Sequence, residues 1–539
     1  MRAIARSLTL ALGVVMSATG WLAADIRLPA VFSDFMVIQR DMPVPVWGWA
    51  EPGERVTVSL ADQSVATSAD AQGRWSVRLA PMSAGGPLVM KIMGRNTLEI
   101  KEILVGEVWL ASGQSNMEMN VASSLNPRQE TSVDYPAIRM FTVERAISDM
   151  PRTDVKGQWT AATGGRAGRF SAVGYYFARH IHVSLDVPVG IIHSSWGGTA
   201  AEGWTPPAAF DANPALKPIV DRYAAALAAY PAELEKFKFK MGSWELMVKE
   251  AKAEGREPPR QPQPPRDPST DPSHPSALYN AMIAPLVPYA IRGAIWYQGE
   301  SNAGRPDEYA ALFGAMIAHW RKEWGQGDFP FLFVQLANYM ARRDEPTDSG
   351  WARLREAQLR TLRTPNTGMA VAIDIGDAQD IHPKNKQDVG RRLALWALAR
   401  VYGRQVVYCG PLYETMAVEG SSIRLRFSHV AGGLRAAHTP VTVGGPDQAG
   451  DSSQVALRGP EVVEAGKLEG FAIAGEDRRF VWAEARIEGE TIVVSSSQVS
   501  RPVAVRYAWA DNPACNLYNS AGLPASPFRT DDWPAGGGR

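Results

Sequence analysis

The sequence predicts a mainly parallel α/β domain set between two β-rich ones, and three observations predict it. Four short apolar runs, at residues 103–111, 189–192, 291–297 and 369–375, are rich in β-formers and lack polar alternation. Such runs are the mark of strands buried on both faces. Segments of helical periodicity stand between them, and strands alternating with helices imply a parallel sheet covered on both sides. On either side of this region the sequence breaks into short strand signals punctuated by turns.

Taken in order, residues 1–24 carry Arg2 and Arg6, an apolar run at 8–15 and small residues up to Ala23 and Ala24. This reads as a secretory signal peptide, too short to span a bilayer, which takes roughly 20 apolar residues. The expectation is a soluble periplasmic or secreted protein with no membrane span after signal cleavage. In that compartment the only two cysteines, Cys409 and Cys515, form either one disulfide or two unrelated buried thiols.

Residues 25–101 read as a small β-sandwich. Val44, Val46, Trp47 and Trp49 precede a Glu51-Pro52-Gly53-Glu54 turn, Val56, Val58 and Leu60 alternate at period two, and Gln72-Gly73 signals a hairpin before Trp75, Val77 and Leu79. Its role is to pack beside the next domain or to bind carbohydrate.

Residues 102–404 form the α/β domain. Tyr176, Phe177, His180 and Ile181 fit one helix face. Asp307 is placed to cap a helix in which Tyr309, Leu312, Phe313, Met316, Ile317 and Trp320 recur at three and four residues. A strand at 331–336, a helix at 351–362 and a last helix carrying Val389, Leu393, Trp396, Ala397 and Val401 complete it. Residues 206–275 break the rhythm and read as an insertion: a helical pair, then an extended proline-rich return. It follows Trp204 directly, so it is either a wall or lid over the site or an inert surface excursion. Residues 405–539 return to strand signals and form a C-terminal β-domain.

Size and charge narrow the function. A chain of 539 residues is too long for one core. Fifty-six basic residues cancel 56 acidic ones, so no field favours nucleic acid, and no basic stripe is present. Seventeen tryptophans is a high count, and aromatic rings commonly line carbohydrate sites.

The chemistry lies where the buried runs end. The first ends in Gly113-Gln114-Ser115-Asn116-Met117, the second in Trp196-Gly197-Gly198-Thr199, and the third in Gln298-Gly299-Glu300-Ser301-Asn302. The fourth leads through Asp374 and Asp377 to Asp380-Ile381-His382-Pro383. A serine at the carboxyl end of a buried strand sits at the lip where open α/β sheets bind ligands. Met117 stands where a Gly-x-Ser-x-Gly elbow needs its second glycine, so an ordinary α/β-hydrolase is disfavoured.

In this order the four blocks resemble the sialate O-acetylesterase family of the SGNH hydrolase superfamily, over nearly the whole mature chain. The resemblance implies an SGNH-type three-layer α/β/α domain and a cofactor-free serine esterase acting on an O-acetylated sugar or glycan. Sialate is the family's substrate, and acetylated xylan is that of related esterases. A carbohydrate-binding protein that has lost catalysis is the alternative from another class, and intact Ser, Asn and His in their separate blocks speak against it.

Carried over residue by residue, Ser115 is the nucleophile and His382 the base. The oxyanion donors are the backbone N–H groups of Ser115 and Gly198 and the side-chain amide of Asn302. Gly198 is the expected donor of its pair, because a residue without Cβ lets a backbone donor approach closely. Gln114, Glu202, Gln298 and Glu300 brace the loops or meet substrate hydroxyls, with bracing favoured for Glu300. Many superfamily members place the orienting acid three residues before the histidine, and Gln379 stands there. The orienting group is therefore Asp380, Asp377, Asp374 or a backbone carbonyl. Asp380 is favoured because Pro383 pushes His382 toward extended backbone, in which residues two apart share a face. His180 and His182 lie two apart on a helix and face away from each other. No Cys/His cluster, Walker loop or dinucleotide fingerprint appears, so no metal or cofactor is implied.

Overall fold

The computed structural model describes residues 25–438, 463–464 and 466–534, so the signal peptide expected at 1–24 lies outside the described residues. The N-terminal strands are β1 (Val37–Gln39), β2 (Val44–Trp49), β3 (Arg55–Leu60), β4 (Gln63–Ser68), β5 (Arg74–Leu79) and β6 (Gly85–Met93). β3 pairs with β4 and β6, while β2 and β5 form a separate two-stranded ribbon. β3 and β5 bury every second residue, as one-sided strands of a two-layer sandwich do.

Next comes β7 (Thr97–Gly113), which is 17 residues long. Its first half pairs antiparallel with β6, and its second half, buried from Ile103 to Gly113, enters the large sheet. The division at residue 102 thus runs through one continuous strand. After the short helices α1 (Ser115–Glu118) and α2 (Pro127–Glu130) come β8 (Tyr135–Val143), β9 (Gly157–Ala162), helix α3 (Ala172–Leu185) and β10 (Val189–Ser195). The insertion holds α4 (Pro207–Ala212) and α5 (Lys217–Ala253). Then follow β11 (Gly293–Tyr297), α6 (Pro306–Trp324), β12 (Phe331–Gln335), α7 (Gly350–Arg360), β13 (Thr367–Val371) and α8 (Lys386–Arg400).

The large sheet runs β13-β12-β11-β7-β10-β8-β9, parallel throughout except for the last pair. Its two faces carry different helices. Trp109 of β7 pairs in register with Gly293, whereas Trp296 pairs with Ser112, so the two indoles point to opposite faces. Trp109 packs on Phe177 of α3 at 4.9 Å, and Trp296 stacks on Phe313 of α6 at 6.0 Å. The result is the expected three-layer α/β/α arrangement with a mainly parallel sheet.

Beyond α8 the chain forms small antiparallel sheets, the expected β-rich C-terminal part. These are fastened to the α/β domain by buried polar bonds. The Arg355 guanidinium donates to the carbonyls of Ala510 and Asp511 at 2.7 and 2.9 Å, and Gln335 donates to Ser526 at 2.9 Å.

Two expectations change, and one open alternative is decided. The insertion is one short helix and a single 37-residue helix, not a matched pair. Pro231 lies inside α5, where it removes one donor, and the alanine- and lysine-rich sequence on either side carries the helix across it. The proline-rich return runs back along α5, with Trp244 donating to the Pro259 carbonyl at 2.7 Å. Asp307 is not the cap of α6. Pro306 takes the first helical position, Arg305 the cap, and Asp307 pairs with Arg353 at 2.6 Å. The two cysteines are free, and burial pushes the Cys409 thiol up to about 12. Among the described residues no helix is long and apolar enough to cross a membrane.

Gly113 closes β7 at φ 138°, and a Cβ there would lie 2.2 Å from the Tyr297 carbonyl oxygen. Gly113→Ala is therefore expected to cost about 1–3 kcal/mol, through overpacking and backbone strain together. Urea unfolding checks this, and a variant as stable as the parent would show that the strand end tolerates a side chain.

Candidate active site

Strand order brings three of the four blocks together. β7 lies between β10 and β11, and Gly113 is in register with both Ser195 and Tyr297. Ser115, Trp196–Thr199 and Gln298–Asn302 therefore leave neighbouring carboxyl ends at one lip of the sheet. The fourth block follows β13, three places away, and is fastened separately: Asn116 Nδ2 donates to the Ile381 carbonyl at 3.0 Å. One side chain thus ties the turn that carries Ser115 to the loop that carries His382.

Ser115 is half-buried at the start of α1, and neither its hydroxyl nor its N–H has a partner among the described residues. Gly197 N–H is taken by Glu118 Oε2 at 2.9 Å, and Arg145 pairs with the same carboxylate. Gly198 N–H has no acceptor among the described residues, so of the glycine pair it is the free donor. The reason for two glycines also shifts. The close approach belongs to Gly197, whose Cβ would stand 3.2 Å from Ser115 Cβ, while Gly198 is needed for its φ of 77°.

The Asn302 amide is held from three sides. Its oxygen accepts from Gln298 Nε2 at 2.6 Å and from Ala201 N–H at 2.9 Å, and its Nδ2 donates to Glu202 at 2.8 Å. One N–H is left over. Glu202 is in turn held by Arg305 at 2.8 Å, and the end of the insertion supports the same loop through Ser273 on Ala200 N–H and Ser276 N–H on the Glu202 carbonyl. Gln114 Oε1 accepts from the N–H groups of Gly299 and Ser301 at 3.4 and 3.3 Å. Gln114, Glu202 and Gln298 thus all brace loops.

The three candidate acids separate cleanly by partner. Asp374 is buried in a two-pronged pair with Arg392 at 2.6 and 2.7 Å. Asp377 accepts from Gln379 N–H at 2.8 Å. Asp380 Oδ1 lies 3.2 Å from His382 Nδ1 and also accepts the His382 backbone N–H at 2.9 Å. That second bond closes a turn, so the contact comes from an Asp side chain folding onto the backbone two residues on and not from extended alternation. The His382 N–H, with Lys384 beside it, holds the Asp380 carboxyl below its ordinary range.

Two groups escaped the sequence reading. The first lies beneath Ser115, where fully buried Lys386 donates from Nζ to Asn116 Oδ1 and sits 5.3 Å from the Tyr297 ring. Asn116 Nδ2 also donates to Glu300 Oε1 at 2.6 Å, so Glu300 braces the serine turn. Burial pushes Glu300 up and Lys386 down to about 7. Asn116 belongs to a block already singled out, but a lysine in a polar loop carries no sequence mark of burial. The second is His193, whose Nε2 lies 2.6 Å from Ser195 Oγ. Burial and the nearby Arg145 push His193 down to about 4, Ser195 is only 4% exposed, and no carboxylate pairs with the ring among the described residues. This neutral, enclosed pair lacks both the access and the acid that a nucleophile needs. No group of three His, Cys, Asp or Glu among the described residues could hold a metal ion.

A family profile described as "carbohydrate esterase, sialic acid-specific acetylesterase" matches residues 270–399. Sialate O-acetylesterase of Mus musculus is 31% identical across 93% of this chain and 94% of its own length. That of Homo sapiens is 30% identical across 96% of each. The chain belongs to the sialate O-acetylesterase family. This carbohydrate esterase also superposes on the crystal structure of a carbohydrate acetylesterase from Xanthomonas citri. That match has a TM-score of 0.76 and 38% identity, covering 94% of this chain and 100% of the other.

The buried lysine gives the esterase a pH signature. Unfolded, Lys386 titrates at its ordinary 10.5; folded, at about 7. Between those values the unfolded chain holds a proton that the folded one lacks, so this residue makes stability rise with pH across that window. Lys386→Met is expected to flatten the rise, read as urea midpoints from pH 7 to 10 for both proteins. Parallel curves would mean that the ammonium keeps its ordinary affinity for protons.

Proposed function

We propose that this esterase removes acetyl groups from sugar hydroxyls by acyl transfer to Ser115, with O-acetylated sialic acid as its substrate class. The observation that carries the reading is the His382–Asp380 contact on a loop tied through Ile381 to the Ser115 turn. Ser115 Oγ attacks the acetyl carbonyl carbon while His382 Nε2 takes the hydroxyl proton and Asp380 steadies the imidazolium through Nδ1–H. The N–H groups of Ser115 and Gly198 and the spare Asn302 N–H receive the oxyanion. As the intermediate collapses, the bond from the acyl carbon to the sugar oxygen breaks and the imidazolium protonates that oxygen. His382 then takes a proton from water, which attacks the acyl carbon of acetyl-Ser115; as the acyl–Oγ bond breaks, acetate leaves and the imidazolium returns the proton to Ser115 Oγ.

What supports sialate is the name shared by relatives that align over nearly the whole chain. The charged and then apolar start of the chain supports action outside the cytoplasm. Mass spectrometry of the protein from its native cells is expected to find an N-terminus near residue 25, and an intact residue 1 on cytoplasmic protein would refute export.

The mechanism orders a series of variants. Ser115→Ala and His382→Ala are expected to bring acetate release to background. Asn302→Ala should cost about 10²–10³ in turnover. Asp380→Asn should fall between these and the parent, below the ~10⁴ seen in tightly coupled triads. Turnover is measured on O-acetylated sialic acid and acetylated xylan side by side, with circular dichroism to exclude misfolding. An Asp380→Asn variant equal to the parent would remove that residue from the mechanism, and faster release from xylan would overturn sialate as the substrate.

A further inference from the structure

A cleft of about 370 Å³ opens between the β2–β5 ribbon and the α/β domain, within the size range of small-ligand sites. One wall is the ribbon face on which Trp47 stands opposite Ser76 and Trp49 opposite Arg74. The other wall is Arg152, Thr153 and the 284–287 segment. That segment leads into the amino end of β11, whereas the residues around Ser115 leave the carboxyl ends of the sheet. The cleft is therefore not part of the esterase site.

Its aromatic wall is held in place. Trp47 is half-buried and meets Phe32 edge-on at 4.7 Å and Tyr289 at 6.5 Å. Trp49 is half-buried with the Arg27 guanidinium 5.8 Å from its ring. Trp75, opposite Gly48, turns to the other face of the ribbon and is buried behind this wall. The charges are uneven. Asp70 is spent on Arg74 and on the hairpin backbone at 2.9 to 3.1 Å. The Arg152 guanidinium donates only to the Ile147 carbonyl among the described residues, and neither Arg152 nor Arg27 meets a carboxylate there. Fixed indoles offer flat apolar faces to the C–H side of a pyranose ring, and an unpaired guanidinium favours a carboxylate, which it can bind through two parallel hydrogen bonds.

We infer that this cleft is a second glycan-binding site, separate from the esterase centre, that takes a carboxylate-bearing pyranose: a sialic-acid or uronic-acid residue. It holds the esterase on an acidic glycan while Ser115 works elsewhere on the same material.

The test is hydrogen–deuterium exchange on the full-length chain with 3′-sialyllactose, an acidic glucuronoxylan oligosaccharide, or lactose as probe. At least one acidic probe is expected to slow exchange at 44–49 and 74–76 two-fold or more, and which one does so names the sugar. Lactose should have no such effect. Trp49→Ala should abolish the slowing. Arg152→Gln, which changes an exposed side chain, should raise the probe concentration needed about tenfold and is the deciding variant if Trp49→Ala lowers the thermal midpoint. No slowing by either acidic probe, equal slowing by lactose, or an unchanged response in Arg152→Gln would overturn the site. Because the readout is local to the ribbon, it is independent of the roles assigned to Ser115, His382 and Asp380.

Discussion

An ammonium group is carried into the protein interior at Lys386, and the arrangement of the catalytic loops depends on how that burial is answered. Burying a lone charge costs several kcal/mol even after relaxation. Here the charge meets the Asn116 amide oxygen and the face of Tyr297, with Glu300 on the far side of the same amide. The consequence is orientational. With its oxygen committed to Lys386, Asn116 has both N–H groups available to Glu300 and to the Ile381 carbonyl. One asparagine therefore links the first, third and fourth blocks, and the amine beneath it, a donor with or without its extra proton, fixes which way round it stands.

That linkage is needed because the sheet does only part of the work. With β7 between β10 and β11, three blocks become neighbours by strand order alone, and parallel register sets their heights. β13 lies beyond β12 and β11, so its loop has to cross two strand ends to reach Ser115. In this largely polar loop only Ile375 and Ile381 pack against the core. The backbone is held instead at both ends of the crossing, by the Asp374–Arg392 pair where β13 stops and by Asn116 at Ile381.

How much of this was legible in the sequence follows from what a one-dimensional pattern contains. The runs at 103–111, 189–192, 291–297 and 369–375 announced buried strands because they are apolar or small apart from Glu107, Arg292 and Asp374, and burial of both faces is what the sheet shows. Glycine and small polar residues at their ends marked the lip. Partner choice was not legible. Asp374, Asp377 and Asp380 are the same residue type within seven positions, and only the fold sends the first to Arg392 and the last to His382. Lys386 was invisible for the opposite reason, since a lysine near Lys384 and Asn385 reads as solvated unless a buried acceptor is known. The insertion holds one long helix where a pair was expected, because a long run of strong helix formers absorbs the one hydrogen bond that Pro231 removes.

The exposure of His382 and Asp380 bears on how the pair does its work. Their side chains are 37% and 38% exposed, and an ion pair so open to water is worth little in itself. Attraction between them therefore cannot be what aims the imidazole. The aim comes from backbone geometry: Asp380 closes a turn on the His382 N–H, Pro383 limits the backbone of His382 from the other side, and Asn116 holds the carbonyl between them. The same carboxylate oxygen then serves both the turn and the ring, so it orients the imidazole whether or not the pair is charged. The deeply buried His193–Ser195 contact, shorter and drier, has none of these supports and no route for a substrate. Access and a positioned acid favour Ser115 and His382 over that pair.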